Sequence, residues 1–207
     1  MAAWLNKSLL ALVLVGTSFI LSLSLFAEDE VYAEYPELTA PKKNNEAQVQ
    51  RGAYLTKAGD CIACHTQVGG AAFAGGLALV TPFGTFYTPN ITPDKQNGIG
   101  SWTDAQFLKA MRHGIRPDGL PYYPAFPYVY YNKASDEDIL AIKAYLERVP
   151  ISKQENKEHE IFFPFNIRSL QYLWQWFFFY LDSGALQEDA TQPELWNRGR
   201  YLVEGLA

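Results

Sequence analysis

Cys61-Ile62-Ala63-Cys64-His65 is the stretch on which the reading of this chain turns. Cys-x-x-Cys-His is the attachment pattern of c-type haem. Each thiol adds across one vinyl group of the porphyrin, which makes two thioether bonds. The two-residue spacer sets both sulfurs along one edge of the ring. The histidine directly after the second cysteine then falls beneath the iron as its proximal ligand. Cys61, Cys64 and His65 are therefore the candidate cofactor-binding residues, and His65 the candidate metal ligand. They use both cysteines of the chain. Other chemistries fit less well. A zinc site needs four ligands, and His113 and His159 lack the paired spacing of a metal finger. A thioredoxin-like redox pair wants a strand before it and a βαβ pattern. A Cys61–Cys64 disulfide would leave His65 without a role.

Working outward, a helix is expected from about Glu46 to Ala58, ended by Gly59-Asp60 just before the motif. Residues 66–100 are dense in glycine and proline and read as ordered loop rather than strands. A second helix starts after Thr103. Thr103 and Gln106 stand at capping-box spacing, with Trp102 and Phe107 at the two positions of a hydrophobic staple. Gly114 should stop it. Its apolar face includes Phe107, Leu108 and Met111. A loop rich in proline and tyrosine, residues 117–132, leads to a third helix over 135–148. Ser135 is its cap, with Asp138 at the capping-box position, and Ile139, Ile142 and Leu146 recur at helical spacing. This last helix is expected to cross the first near Gly52, where the missing side chain allows close approach. Residues 154–160 read as a charged linker.

The sixth haem position is less constrained. Small cytochromes usually take a methionine from the loop before the last helix. That loop, Tyr122-Tyr123-Pro124-Ala125-Phe126-Pro127-Tyr128, has none. Met111 is the only methionine beyond the N-terminal segment, so elimination makes it the candidate second metal ligand. A core role beside Phe107 competes. His113 is the next candidate, and His159, in the charged linker, a poorer one. A site with water is the remaining alternative.

The N-terminus reads as a targeting segment. Lys7 precedes an apolar run from Leu9 to Ala27, and Glu28, Asp29 and Glu30 follow. A cation before and acids after place the remainder outside the cytoplasm, which suits covalent haem attachment. The run is near the length that spans a bilayer, so residues 1–27 are a signal peptide or a membrane anchor, and 28–45 a polar linker. The net charge of −5 argues against nucleic acid, which selects basic surfaces.

The chain also echoes itself. Arg51-Gly-Ala-Tyr-Leu recurs as Arg198-Gly-Arg-Tyr-Leu. At the same offset Cys61 maps to position 208, so residues 151–207 read as an aromatic linker and the start of a truncated second module. Leu170-Gln-Tyr-Leu-Trp-Gln-Trp-Phe-Phe-Phe-Tyr-Leu181 is too short to cross a bilayer. Packing between haem modules is the favoured role for it. Contact with a partner or with the membrane interface is the other.

Taken together, Arg51-Gly-Ala-Tyr-Leu, Gly59-Asp-Cys-Ile-Ala-Cys-His-Thr, Phe73-Ala-Gly-Gly, Thr81-Pro-Phe-Gly-Thr, Asn90-Ile-Thr-Pro-Asp, Met111-Arg-His-Gly, Tyr123-Pro-Ala-Phe-Pro-Tyr and Phe163-Pro-Phe-Asn-Ile-Arg resemble the multihaem cytochrome c subunit of bacterial membrane-bound alcohol, sorbitol and gluconate dehydrogenases. The resemblance covers about residues 46–207. It implies a class I cytochrome c fold, repeated along a longer chain and with no catalysis of its own; here that fold is expected to be all-α over 46–150, and the single Cys-x-x-Cys-His motif gives it one covalently bound haem c. It implies electron transfer in the periplasm. The donor would be a membrane-bound dehydrogenase subunit, and the acceptor quinone or a terminal oxidase. A free monohaem carrier and a haem sensor with an open sixth position are the rival readings. This chain departs from the resemblance at Phe126, where members of that family often have methionine, and at Ala207, where they continue into further haem modules.

Overall fold

The computed structural model describes residues 46–179 and 184–206. The targeting segment of residues 1–27, the linker 28–45 and positions 180–183 of the aromatic stretch lie outside the described residues.

Three helices frame the domain where the periodicity and caps place them: α1 (Glu46–Ala58), α3 (Asp104–His113) and α5 (Asp136–Leu146). Between α1 and α3 lies the one-turn helix α2 (Cys61–Cys64), and between α3 and α5 the one-turn helix α4 (Tyr128–Tyr131). The start of α3 follows its sequence signals closely. Thr103 accepts from the Gln106 amide while the Gln106 side chain accepts from the Thr103 amide. Trp102 and Phe107 lie 6.4 Å apart, and Gly114 ends the helix at φ 62°. That left-handed turn costs glycine nothing.

Helices α1 and α5 cross at Gly52. A β-carbon there would stand 1.8 Å from the Ala141 carbonyl oxygen, so the two backbones are in direct contact. The inner face of α5 supplies Ile139, Ile142 and Leu146 to the core, each almost fully buried. Helix α3 is tied to α5 at both ends. Arg112 pairs with Asp136 and donates to the carbonyls of Asn132 and Ala134. Lys143 reaches Asp104 at 2.8 Å and Glu147 at 2.6 Å.

The all-α expectation needs correction, because the domain is mostly helical with a small sheet. Strands β1 (Ala78–Thr81) and β2 (Gly84–Tyr87) form an antiparallel hairpin inside the stretch read as loop. Thr81 pairs with Gly84 across a two-residue turn, Pro82-Phe83. Gly84 takes φ 124° there, close against Glu160. A third strand, β3 (Glu160–Ile161), adds to β2. The stretch read as a charged linker is therefore partly strand.

The chain beyond residue 150 wraps back over the domain. Asn90, 2% exposed, donates its side-chain amide to the carbonyls of Ser152 and Gln154 and its backbone amide to Asn156. Helix α6 (Leu170–Phe178) turns Gln175 inward, where it donates to the His113 carbonyl and the Tyr128 hydroxyl. Helix α7 (Glu194–Gly205) brings the repeated Arg-Gly-x-Tyr-Leu segment onto the start of α5. There Asp138, 1% exposed, pairs with Arg51 and accepts from Tyr201 Oη at 2.8 Å. Ser135 caps α5 by accepting from the Asp138 amide. The amide of Ser135 donates to Tyr201 Oη rather than to Asp138, so the reciprocal bond of a capping box is replaced by one from the repeat. Among the described residues no helix is long and apolar enough to cross a membrane.

Candidate haem site

The site is built where α1 stops. The Gly59 amide donates to the Leu55 carbonyl, and Asp60 takes a left-handed φ of 45°. That turn swings the chain into α2. One turn of helix places Cys61 and Cys64 on a common face, since residues three apart are neighbours on a helix. Both thiols are free. Burial pushes the Cys61 thiol up to about 11, so it is not a standing thiolate of the kind a redox-active pair uses. His65 follows directly and closes the turn by donating its amide to the Cys61 carbonyl at 3.0 Å.

The ring of His65 is oriented by backbone. Its Nδ1 lies 2.7 Å from the Pro89 carbonyl oxygen. A carbonyl only accepts, so Nδ1 carries the proton and the Nε2 lone pair is left to a metal. Burial pulls the imidazole below its ordinary value, with the Pro89 carbonyl opposing. The neutral, ligating form is thereby favoured. Gly75 makes the approach possible. Its amide donates to the His65 carbonyl at 2.7 Å, and a β-carbon on it would stand 2.4 Å from the Pro89 backbone. Thr66 Oγ1 accepts from the Phe73 amide in the same loop.

Facing the motif is a row of rings from the loop after α3. Tyr131 lies near enough to Cys61 and Cys64 that their thiols, with burial as the larger cause, raise its hydroxyl. Phe126 stands 5.7 Å from Tyr131 and 5.3 Å from Tyr122. The donor set thus fits a covalently held haem: two free thiols one turn apart, an imidazole with Nε2 available, and a wall of aromatic rings.

The structure brings Cys61, Cys64 and His65 together. Met111 lies apart from them in the chain, on α3, and is 7% exposed beside the buried Phe107 and Leu108. His159 is engaged elsewhere. Its Nδ1 accepts from the Tyr87 amide, and its ring packs between Phe86 and Tyr123. Among the described residues no three of His, Cys, Asp or Glu gather as a metal cage. Sequence reasoning missed Pro89 and Gly75. The Phe73-Ala-Gly-Gly stretch held the signal for Gly75. Pro89 acts through a carbonyl that every residue possesses.

Residues 49–150 match the Cytochrome c family. This stretch is a cytochrome c domain. The domain therefore binds haem c covalently and serves electron transfer. Similarity extends well beyond it. The chain is 45% identical over 201 residues to the gluconate 2-dehydrogenase cytochrome c subunit of Pantoea cypripedii, covering 97% of this chain and 42% of that protein. It is 42% identical over 186 residues to the fructose dehydrogenase cytochrome subunit of Gluconobacter japonicus, covering 88% of this chain and 38% of that one. A diheme cytochrome c-type protein of Cereibacter sphaeroides is 39% identical over 183 residues, with 82% and 60% covered. The matched stretch thus spans less than half the length of the gluconate and fructose relatives and more than half of the diheme one.

Proposed function

We propose that this chain is the cytochrome subunit of a periplasmic, membrane-bound dehydrogenase and holds one haem c within residues 46–150. Cys61 and Cys64 are its attachment points and His65 its proximal ligand. The observation that carries the reading is the pair of free thiols beside an imidazole whose Nδ1 is committed to Pro89. When bound, the haem supplies a one-electron couple. The protein's own share is to hold His65 by Pro89 and Gly75, and to cover the cofactor with Phe126, Tyr122 and Tyr131. A dehydrogenase subunit is the electron donor, in keeping with the gluconate and fructose dehydrogenase cytochrome subunits it resembles. Quinone or a terminal oxidase is the acceptor. Residues 1–27 export the chain and can anchor it, residues 28–45 link them to the domain, and residues 151–207 supply an aromatic linker and the start of a second cytochrome c module. A subunit is favoured over a free carrier because Trp176, Phe177 and Phe178 are 62%, 57% and 68% exposed, an apolar surface that a freely diffusing protein rarely leaves uncovered. On the distal side Met111 is the proposed ligand, as the one thioether available to the domain. The test of the whole reading is co-expression with a haem-attachment system. Colour should survive denaturation and acid extraction, at one haem per chain. Haem that extracts freely from the wild type would overturn it.

A further inference from the structure

A second group of residues, at the other end of the aromatic row, has no part in the attachment chemistry. Arg168 comes from the segment after the matched domain and packs its guanidinium over the Tyr123 ring, 4.4 Å from the centroid. Its Nη1 donates to the Pro121 carbonyl at 3.1 Å. Guanidinium has five N–H donors in a planar fork, so most of its capacity is unspent. Among the described residues no carboxylate pairs with it. Burial and then Arg116, from the loop after α3, lower Arg168, and the ring of Tyr123 and the carboxylate of Asp118, which lies near without pairing with it, oppose them. The counter-ion of Arg116 is Asp118, at 2.8 Å, with both side chains about a third or more exposed. An exposed pair of that kind contributes little. Two neighbouring guanidinium groups, one of them half-buried, with a single partly exposed carboxylate paired to the other, are costly unless a further anion joins them.

The row of rings says which anion. Tyr131 is at the thiol end. Phe126 comes next, and then Tyr122, whose hydroxyl is raised chiefly by burial and also feels Arg116, Asp118 and Arg168. The row therefore runs from the attachment cysteines to the arginines. Haem has the same polarity. Its vinyl groups, which the cysteines take, are on one half of the porphyrin, and its two propionate carboxylates on the other.

We propose that Arg168 and Arg116 form the binding site for the haem propionates, so that the segment beyond residue 150 completes the cofactor pocket of the domain before it. The inference rests on the haem reading above. The planar fork of Arg168 suits a carboxylate taken by two parallel N–H bonds. Its stacking on Tyr123 and its bond to Pro121 fix the fork in advance. The partly exposed Arg116 adds charge more than geometry.

The test uses the full chain carrying its haem, with Arg168→Gln, Arg168→Lys and Arg116→Gln. Two readouts are taken: the propionate bending modes in resonance Raman spectra, and the reduction potential as a function of pH. In the wild type the arginines hold the propionates ionised, so the potential should be flat near neutral pH. Arg168→Gln should shift the propionate modes and lower the potential. It should also make the potential fall with rising pH through the neutral range, because a propionate without its cation titrates there. Arg168 also helps to hold the neighbouring His159 low, so the slope should persist in Arg168→Gln/His159→Phe, and its loss there would overturn the proposal. Arg168→Lys should restore the flat profile while leaving the modes shifted, since charge returns without the fork. Arg116→Gln should give a smaller change of the same sign as Arg168→Gln. If Arg168 only braces Pro121, Arg168→Gln will lose thermal stability with modes and pH profile unchanged, and that result overturns the proposal. A wild type without covalent haem overturns the haem reading along with it.

Discussion

His65 depends on two neighbours that contribute only backbone. Pro89 offers a carbonyl, and Gly75 offers the absence of a β-carbon. This explains what was legible at the residue scale. Cys61, Cys64 and His65 stand out in the sequence because covalent attachment fixes residue type and order within five positions. The acceptor for His65 does not stand out, because its identity depends on which part of the chain folds against the ring. The distal side is harder still, since Phe126 occupies the loop that usually donates a thioether. Elimination points to Met111, and its burial suits a core residue as well as a ligand. The two roles make different predictions. If Met111 binds iron, the oxidised protein shows the weak far-red charge-transfer band of a thioether–iron bond, and Met111→Leu abolishes it. If Met111 only fills the core, Met111→Leu is a near-isosteric change costing less than about 1.5 kcal/mol, and the visible spectrum stays as it was. A high-spin wild type that binds carbon monoxide readily would reject ligation by Met111.

At the scale of elements, the long helices were legible and the short strands were not. Helices α1, α3 and α5 announce themselves by caps, by glycine stops and by apolar spacing sustained over three turns. Strands β1 and β2 have four residues each, too few to show a period of two amid glycine and proline. The clue was Thr81-Pro82-Phe83-Gly84-Thr85, where β-prone residues flank a turn that needs a glycine at positive φ. The crossing of α1 and α5 is the sharpest test of the helical frame. On an exposed helix Gly→Ala is stabilising by about 0.8–1 kcal/mol. At Gly52 the new methyl would strike the Ala141 carbonyl, so Gly52→Ala should instead destabilise by about 1–3 kcal/mol. Chemical denaturation should show the lower midpoint, and a gain in stability would mean the helices do not cross there. The strand side carries a pH prediction. Burial, followed by the nearby Arg168 and Arg116, lowers His159 from 6.5 to about 4. The unfolded chain then binds the proton more readily than the native one. The stability contributed by the neutral ring is complete above pH 6.5 and is lost as pH falls from there toward 4. His159→Phe keeps a ring against Phe86 and Tyr123 and removes the titration. Its basal stability should drop, because the Tyr87 amide loses its acceptor, but the decline of the urea midpoint between pH 6.5 and 4 should be visibly shallower. An unchanged slope would mean that His159 is not the residue responsible.

At the scale of the molecule, the matched domain and the chain after it are one packed body rather than a domain with a loose tail. Asn90 holds residues 152–156 across the domain, Gln175 reaches into the loop after α3, and Tyr201 completes the cap of α5. The sequence hinted at this only through the repeated Arg-Gly-x-Tyr-Leu, because such bonds join polar residues with no periodic signature. The same body leaves an apolar surface on α6. Helix α6 turns Gln175 inward, with Phe179 just beyond its end also buried, and presents Trp176, Phe177 and Phe178 outward. The helix itself carries no charged residue. Exposed aromatic clusters of this kind mark contact surfaces and, when uncovered, association. The triple change Trp176→Ser, Phe177→Ser, Phe178→Ser removes the patch without touching Gln175 or Phe179. Each exposed substitution should alter stability by no more than about 0.5 kcal/mol, so folding and haem loading should survive. Sedimentation velocity without detergent should show the wild type associating and the variant shifted toward monomer, with the visible spectra of the two superimposable. Equal association of both would place the contact surface elsewhere. A variant that loses its haem would show that these rings support the cofactor pocket rather than a partner.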